Sequence, residues 1–182
     1  MNNISLRQSH AALGMRSRQA KARKIEAILS TKLKLTDARV LDVGAGSGII
    51  ANHMSQCVGP GGEVVAVDVM DQRRIRRGFR FVRVTDRWLP FEDVSFDVVI
   101  SNHVMEHVGK RQAQLHHLRE FRRVLKDEGW GYFAVPNQWR LIEPHFKLPL
   151  LSWFPLGLRS AYVRMASRGK VYDVFPPSHY EL

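Results

Sequence analysis

The chain has 182 residues, room for one domain with a sizeable core but not comfortably for two. Lys and Arg number 28 against 17 Asp and Glu, a formal net charge of +11, which favours an anionic partner such as nucleic acid, an acidic membrane face or a phosphorylated molecule. One cysteine, Cys57, rules out a disulfide within the chain, and no apolar run approaches the roughly 20 residues a membrane-spanning helix needs.

Met1 to His10 is polar and lacks the apolar centre of a secretory signal, so the expected location is cytoplasmic, with peripheral membrane contact as the variant. Ser17 to Lys34 reads as a basic amphipathic helix capped by Ser17, with Ile25, Ile28, Leu29 and Leu33 at helical spacing. Val40 to Val43 is a short apolar strand that runs into glycines, and Ile49 to Val58 is helical. Glu63 to Val69 is a second, valine-rich strand. A short helix is expected around Asp71 to Arg77, then an alternating strand from Phe79 to Val84. Asp97 to Ile100 and Tyr132 to Val135 complete five strands, with a helix from Gln112 to Leu125 between them. That helix shows Leu115, Leu118, Phe121 and Leu125 at about helical period, which places His116 and His117 on its solvated face.

Strands alternating with helices predict an α/β fold: a doubly wound, mostly parallel sheet with helices on both faces. The whole chain is expected to be a single domain. Residues 1–36 form its basic helical start, 37–137 a cofactor-binding core, and 138–182 a lid and C-terminal segment.

The first strand leads straight into Gly44-Ala45-Gly46-Ser47-Gly48 and a helix. Alternate glycines let the backbone turn tightly and approach a ligand, and the helix start offers free N–H groups. In a dinucleotide fingerprint the third glycine would stand where Ile49 does, so the loop does not read as a pyrophosphate cradle. Asp68 follows 20 residues after Gly48, at a strand end where a carboxylate accepts both hydroxyls of a ribose. Loop and acid together predict an adenosine-bearing ligand without a pyrophosphate. A glycine turn with an incidental surface Asp is the blander alternative.

These residues resemble the class I S-adenosylmethionine-dependent methyltransferases, most closely the group of ubiquinone and menaquinone biosynthesis enzymes and their small-molecule relatives. Val40 to Gly48 matches the family's first motif without a gap. Leu89-Pro90-Phe91-Glu92-Asp93, Ser95 to Val99, Glu106-His107-Val108, Leu125-Lys126 through Gly129 and Val135-Pro136-Asn137 follow in order. The resemblance covers Arg39 to Asn137. It implies S-adenosyl-L-methionine as cofactor, its methionine end held by Asp42, Gly44, Ala45, Gly46 and Gly48, its ribose by Asp68 beside Val69, and Asn102 near the sulfonium. Relatives place an acid where Thr85 stands, so Asp86, one step later, is the expected partner of the adenine amino group. Trp88 is expected either to cover the adenine or to lie in the core.

Methyl transfer needs a base only when the acceptor must lose a proton. His103, His107 and His145 are the candidate catalytic residues, with Glu106 beside them. His103, Glu106 and His107, at i, i+3 and i+4, would share a helix face. The same run spells the H-x-x-E-H of some zinc proteases, but at a strand end rather than on a long helix. No metal is expected.

From Trp139 to Leu158 the chain is rich in Trp, Phe, Leu and Pro, with Lys147, Arg159 and Arg164 nearby. It lies beyond the fifth strand, where a lid over the ligand belongs, and suits a small or lipid-linked acceptor near an anionic membrane. Two arginine-rich stretches, Arg7 to Lys24 and Arg73 to Arg77, leave RNA methylation as the alternative, and a scaffold that binds cofactor without turnover as a third. The family's sheet has seven strands. Only 45 residues follow Asn137, of which Lys170 to Phe175 supplies at most one strand, so the final pair is expected to be missing.

Overall fold

The structure, a computed structural model, describes residues 15–85, 88–135, 148, 151, 154 and 156–167. The order is α1 (Met15–Ser30), β1 (Arg39–Val43), α2 (Ile49–Val58), β2 (Glu63–Asp68), β3 (Arg80–Arg83) and β4 (Phe96–Asn102). A 3-10 turn at Met105–His107, α3 (Arg111–Val124), β5 (Leu125–Ala134) and α4 (Leu156–Met165) follow.

The described strands form one sheet in the order β3-β2-β1-β4-β5, every neighbouring pair parallel. Parallel strands buried on both faces must be apolar on both, and the register shows how. Val40, Val64, Ala66, Val98 and Ile100 face α1 and α2, while Leu41, Val43, Val65, Val67 and Val99 face Phe121 and Val124 of α3. Among the described residues, β5 is the outer strand on its side. It starts directly after α3 and carries an irregularity, Phe96 pairing with Leu125 and Val98 with Trp130. The proposed strand at Lys170 to Phe175 lies outside the described residues, as do Asp86, His145 and 136–147.

Several sequence expectations change. The stretch Asp71 to Arg77 forms no helix. Its backbone donors go elsewhere: the Arg74 and Ile75 N–H groups both donate to the Ser47 carbonyl, at 3.0 and 3.1 Å. Asp71 accepts from the Arg73 backbone and, twice, from its guanidinium. The segment is thus folded onto the glycine loop instead of onto itself.

In α1 the buried residues are Ala22, Ile25 and Leu29, while Ile28 is exposed and Ser17 lies inside the helix, not at its cap. Burying Ile25 and Leu29 contributes roughly 1.5–3 kcal/mol each, which anchors an otherwise basic helix on α2. A 2.6 Å pair between His53 Nε2 and Glu26 Oε2 links the same two helices, and the half-buried Cys57 thiol donates to the His53 carbonyl.

Helix α3 is also rotated from expectation. Leu115 is exposed, whereas Ala113, Gln114, Glu120, Phe121 and Val124 are buried. His117 is not solvated: its Nε2 lies 3.0 Å from Ser101 Oγ, and burial pushes its imidazole down to about 4. Two polar partners outside the helix, the Ser101 hydroxyl for His117 and the Leu89 N–H for Glu120, turn the helix in a way apolar spacing alone does not show. Trp88 lies neither in the core nor shielded: it is 60% exposed, with its ring edge-on to His116.

Candidate functional site

Register puts the site at the carboxyl ends of β1, β2 and β4. Val43 pairs with Val67 on one side and Ser101 on the other, so Gly44, Asp68 and Asn102 emerge together where the sheet changes winding direction. The Gly44 and Ala45 N–H groups donate to the Val67 carbonyl at 2.8 and 2.9 Å, tying the loop to β2. Gly44 and Gly48 hold φ of +81° and +75°. A Cβ would meet Val104 at the first and the Ile75 carbonyl at the second. Backbone conformation and close packing both require glycine there.

Asp68 Oδ2 accepts the Gly46 N–H at 2.8 Å and Oδ1 the Met70 N–H at 3.3 Å, so the carboxylate is fixed while lone pairs remain on both oxygens. Val69, next in chain, receives Arg83 Nε on its carbonyl. Asp42 is only 2% exposed. Burial pushes its carboxyl up to about 7, the Asp68 charge adds to this, and the Ala51 N–H and Arg18 work the other way. Its Oδ2 has no hydrogen-bond partner, and neither do the buried Ser47 Oγ and Asn102 Oδ1. Buried polar atoms are normally paired, so three orphans around one loop mark a place shaped for a polar ligand.

Next to Asn102, His103 stands just past β4 with φ +58°, an uncommon left-handed conformation, its N–H held by the Ala134 carbonyl. Its Nδ1 lies 3.3 Å from Glu106 Oε1. Glu106 is fully buried, and its Oε2 has no partner. His103 therefore lies outside the 3-10 turn, and the shared helix face expected for His103, Glu106 and His107 is replaced by a His103–Glu106 pair. A carboxylate at Glu106 can only accept, and in that form it takes the His103 Nδ1–H and leaves Nε2 as the basic nitrogen. Among the described residues, three potential metal-binding atoms converge only at Glu26, His53 and Cys57, between α1 and α2.

Two contributors escaped the sequence reading. Arg18 lies against the loop, Nη1 being 3.4 Å from the point a Gly46 Cβ would occupy. Val104 packs on Gly44. For Arg18 the signal was available: it stands four residues before Ala22 and seven before Ile25, on the buried face of α1.

Residues 41–133 match the family described as a methyltransferase domain. The chain belongs to that family. It is 35% identical over 102 residues to a ubiquinone/menaquinone biosynthesis C-methyltransferase of Pseudomonas putida, covering 50% of this chain and 39% of the relative. The corresponding enzyme of Xanthomonas oryzae is 33% identical over 127 residues, covering 64% and 45%. The chain thus spans less than half the length of these relatives. A S-adenosylmethionine-dependent methyltransferase from Aquifex aeolicus shares the fold, with a TM-score of 0.55, 17% identity, and 81% and 87% of the two chains covered.

Proposed function

We propose that this chain is an S-adenosylmethionine-dependent methyltransferase acting on a small or lipid-linked acceptor. The observation that carries the reading is the set of unpartnered, buried oxygens of Asp42, Ser47 and Asn102 around a glycine loop whose carboxyl-end neighbour is Asp68. When bound, the cofactor supplies a methyl group on an electrophilic sulfonium. Asp42 would receive its ammonium and Asp68 the ribose hydroxyls, while Asn102 borders the transferring end.

Holding acceptor and donor in line supplies much of the rate enhancement, worth about 7–11 kcal/mol in favourable cases. Where the acceptor must lose a proton, His103 Nε2 takes it, and Glu106 stabilises the imidazolium that forms. The acceptor class rests on the quinone-biosynthesis relatives. It is also supported by α4, where exposed Leu158 and Met165 stand beside Arg159 and Arg164, a composition suited to the edge of an anionic membrane. None of the described helices is long and apolar enough to cross a membrane.

Transfer of a labelled methyl group tests this. Phenolic quinone precursors in anionic vesicles, water-soluble phenols and structured RNA would be offered side by side. Label is expected in the first two and not in RNA. Labelled RNA with unlabelled phenols would reverse the acceptor assignment, and cofactor binding without any transfer would make the chain a scaffold. His103→Gln should lower turnover on an acidic acceptor about 10²–10⁴-fold with cofactor affinity unchanged.

A further inference from the structure

The cofactor's amino-acid end is a zwitterion, and so far only its cationic half has a receptor. Arg18, on the face of α1 that packs against α2, sets its guanidinium against Gly46, close enough to Asp42 and Arg74 for both to act on it electrostatically. Its Nε is buried and has no hydrogen-bond partner. A buried guanidinium donor left unpaired is costly, and the cost is recovered when an anion accepts from it. The second guanidinium raises the demand for an anion. Arg74 is fixed there by its backbone, whose N–H donates to the Ser47 carbonyl inside the glycine loop. An unpartnered cationic donor, Arg18 Nε, and an unpartnered acidic oxygen, Asp42 Oδ2, thus border the same loop.

We propose that Arg18 is the carboxylate receptor for the cofactor's amino-acid end, so that α1, which lies outside the family-matched stretch, completes the site. Arg18 takes the carboxylate in the two-pronged manner guanidinium geometry favours, Asp42 takes the ammonium, and Arg74 adds positive potential. The basic character of α1 then has a specific use at this position, apart from any role of its exposed lysines and arginines. The assignment rests on the cleft being the cofactor site.

Calorimetric titration with S-adenosylmethionine and its decarboxylated analogue isolates the carboxylate, the single group by which the two differ. The unaltered chain should bind the intact cofactor about 10–100-fold more tightly, the range expected of a charge-assisted hydrogen-bonded pair. Arg18→Ala should erase that difference by weakening the intact cofactor alone, and Arg18→Lys should restore part of it. Arg18→Met keeps the length of the side chain's apolar stem, so it serves as the neutral variant if the alanine form melts early. Equal weakening of both compounds would mean a structural role for Arg18, and unchanged affinity for both would remove it from the site; either overturns the proposal. If the unaltered chain binds neither compound, the cofactor reading itself falls.

Discussion

Asp42 combines two roles that pull against each other. Its carboxyl sits at about 7 because burial and the Asp68 charge disfavour ionisation. A group whose folded-state value is raised in this way imposes no penalty below pH 4, where it is protonated in both states. The penalty grows between pH 4 and 7 and is complete above, reaching at most about 4 kcal/mol. The ligand-free protein should therefore lose stability as pH rises through that window, and Asp42→Asn should not. Thermal unfolding of both forms from pH 4 to 8 checks this, and parallel curves would refute it. The same substitution should weaken cofactor binding, because the ammonium loses its anion. Of these residue-scale facts, the glycines, Asp42 and Asp68 were legible because their chemistry is local to one strand end or one turn. The contact of Arg18 with the loop at Gly46, the Ser101–His117 bond and the His103–Glu106 pair were not, since each joins residues that only folding brings together.

At the scale of elements, α3 and the Leu89–Asp93 run are fastened at one node. Arg123 donates to both Glu120 oxygens at 2.7 Å, to Asp93 Oδ1, and to the Leu89 and Phe91 carbonyls, while Glu120 accepts the Leu89 N–H. Glu120 is almost fully enclosed. Arg123→Met takes the cation from the enclosed Glu120 carboxylate, leaving it only the Leu89 N–H, and removes a donor from the Leu89 and Phe91 carbonyls, so it should destabilise the fold by on the order of 3 kcal/mol. Urea unfolding measures it, and a loss below about 1 kcal/mol would show that the node is dispensable. The run Leu89 to Asp93 was visible as a motif, but its anchoring by α3 was not. Likewise, periodicity placed α2 and the five strands to within a few residues, apart from β5, which begins earlier. It failed at Asp71 to Arg77, where the Ser47 carbonyl captures the N–H groups a helix would have used internally. It also gave no sign of α4, whose Val163 packs with Leu148 and Leu151, up to 15 positions earlier in the chain.

For the whole molecule, a ligand that binds only the folded state stabilises it by mass action. At a hundredfold excess over its dissociation constant, S-adenosylhomocysteine should add about 2.7 kcal/mol, enough to raise the melting temperature by about 5–10 °C. NAD at the same concentration should leave it unchanged, because Ile49 occupies the third-glycine position of a dinucleotide loop. A thermal shift with NAD and none with the nucleoside would invert the assignment. The sequence alone determined the α/β class, the alternation of elements, the glycine loop and its acidic partner. Each of these is written in neighbouring residues through hydrophobic period and backbone freedom. Strand order β3-β2-β1-β4-β5, the rotation of α1 and α3, the His103–Glu106 pair and the seat of Arg18 beside Asp42 were decided by tertiary structure. They depend on which buried polar group finds which partner across the core, and that is a property of packing between distant segments, not of any segment by itself.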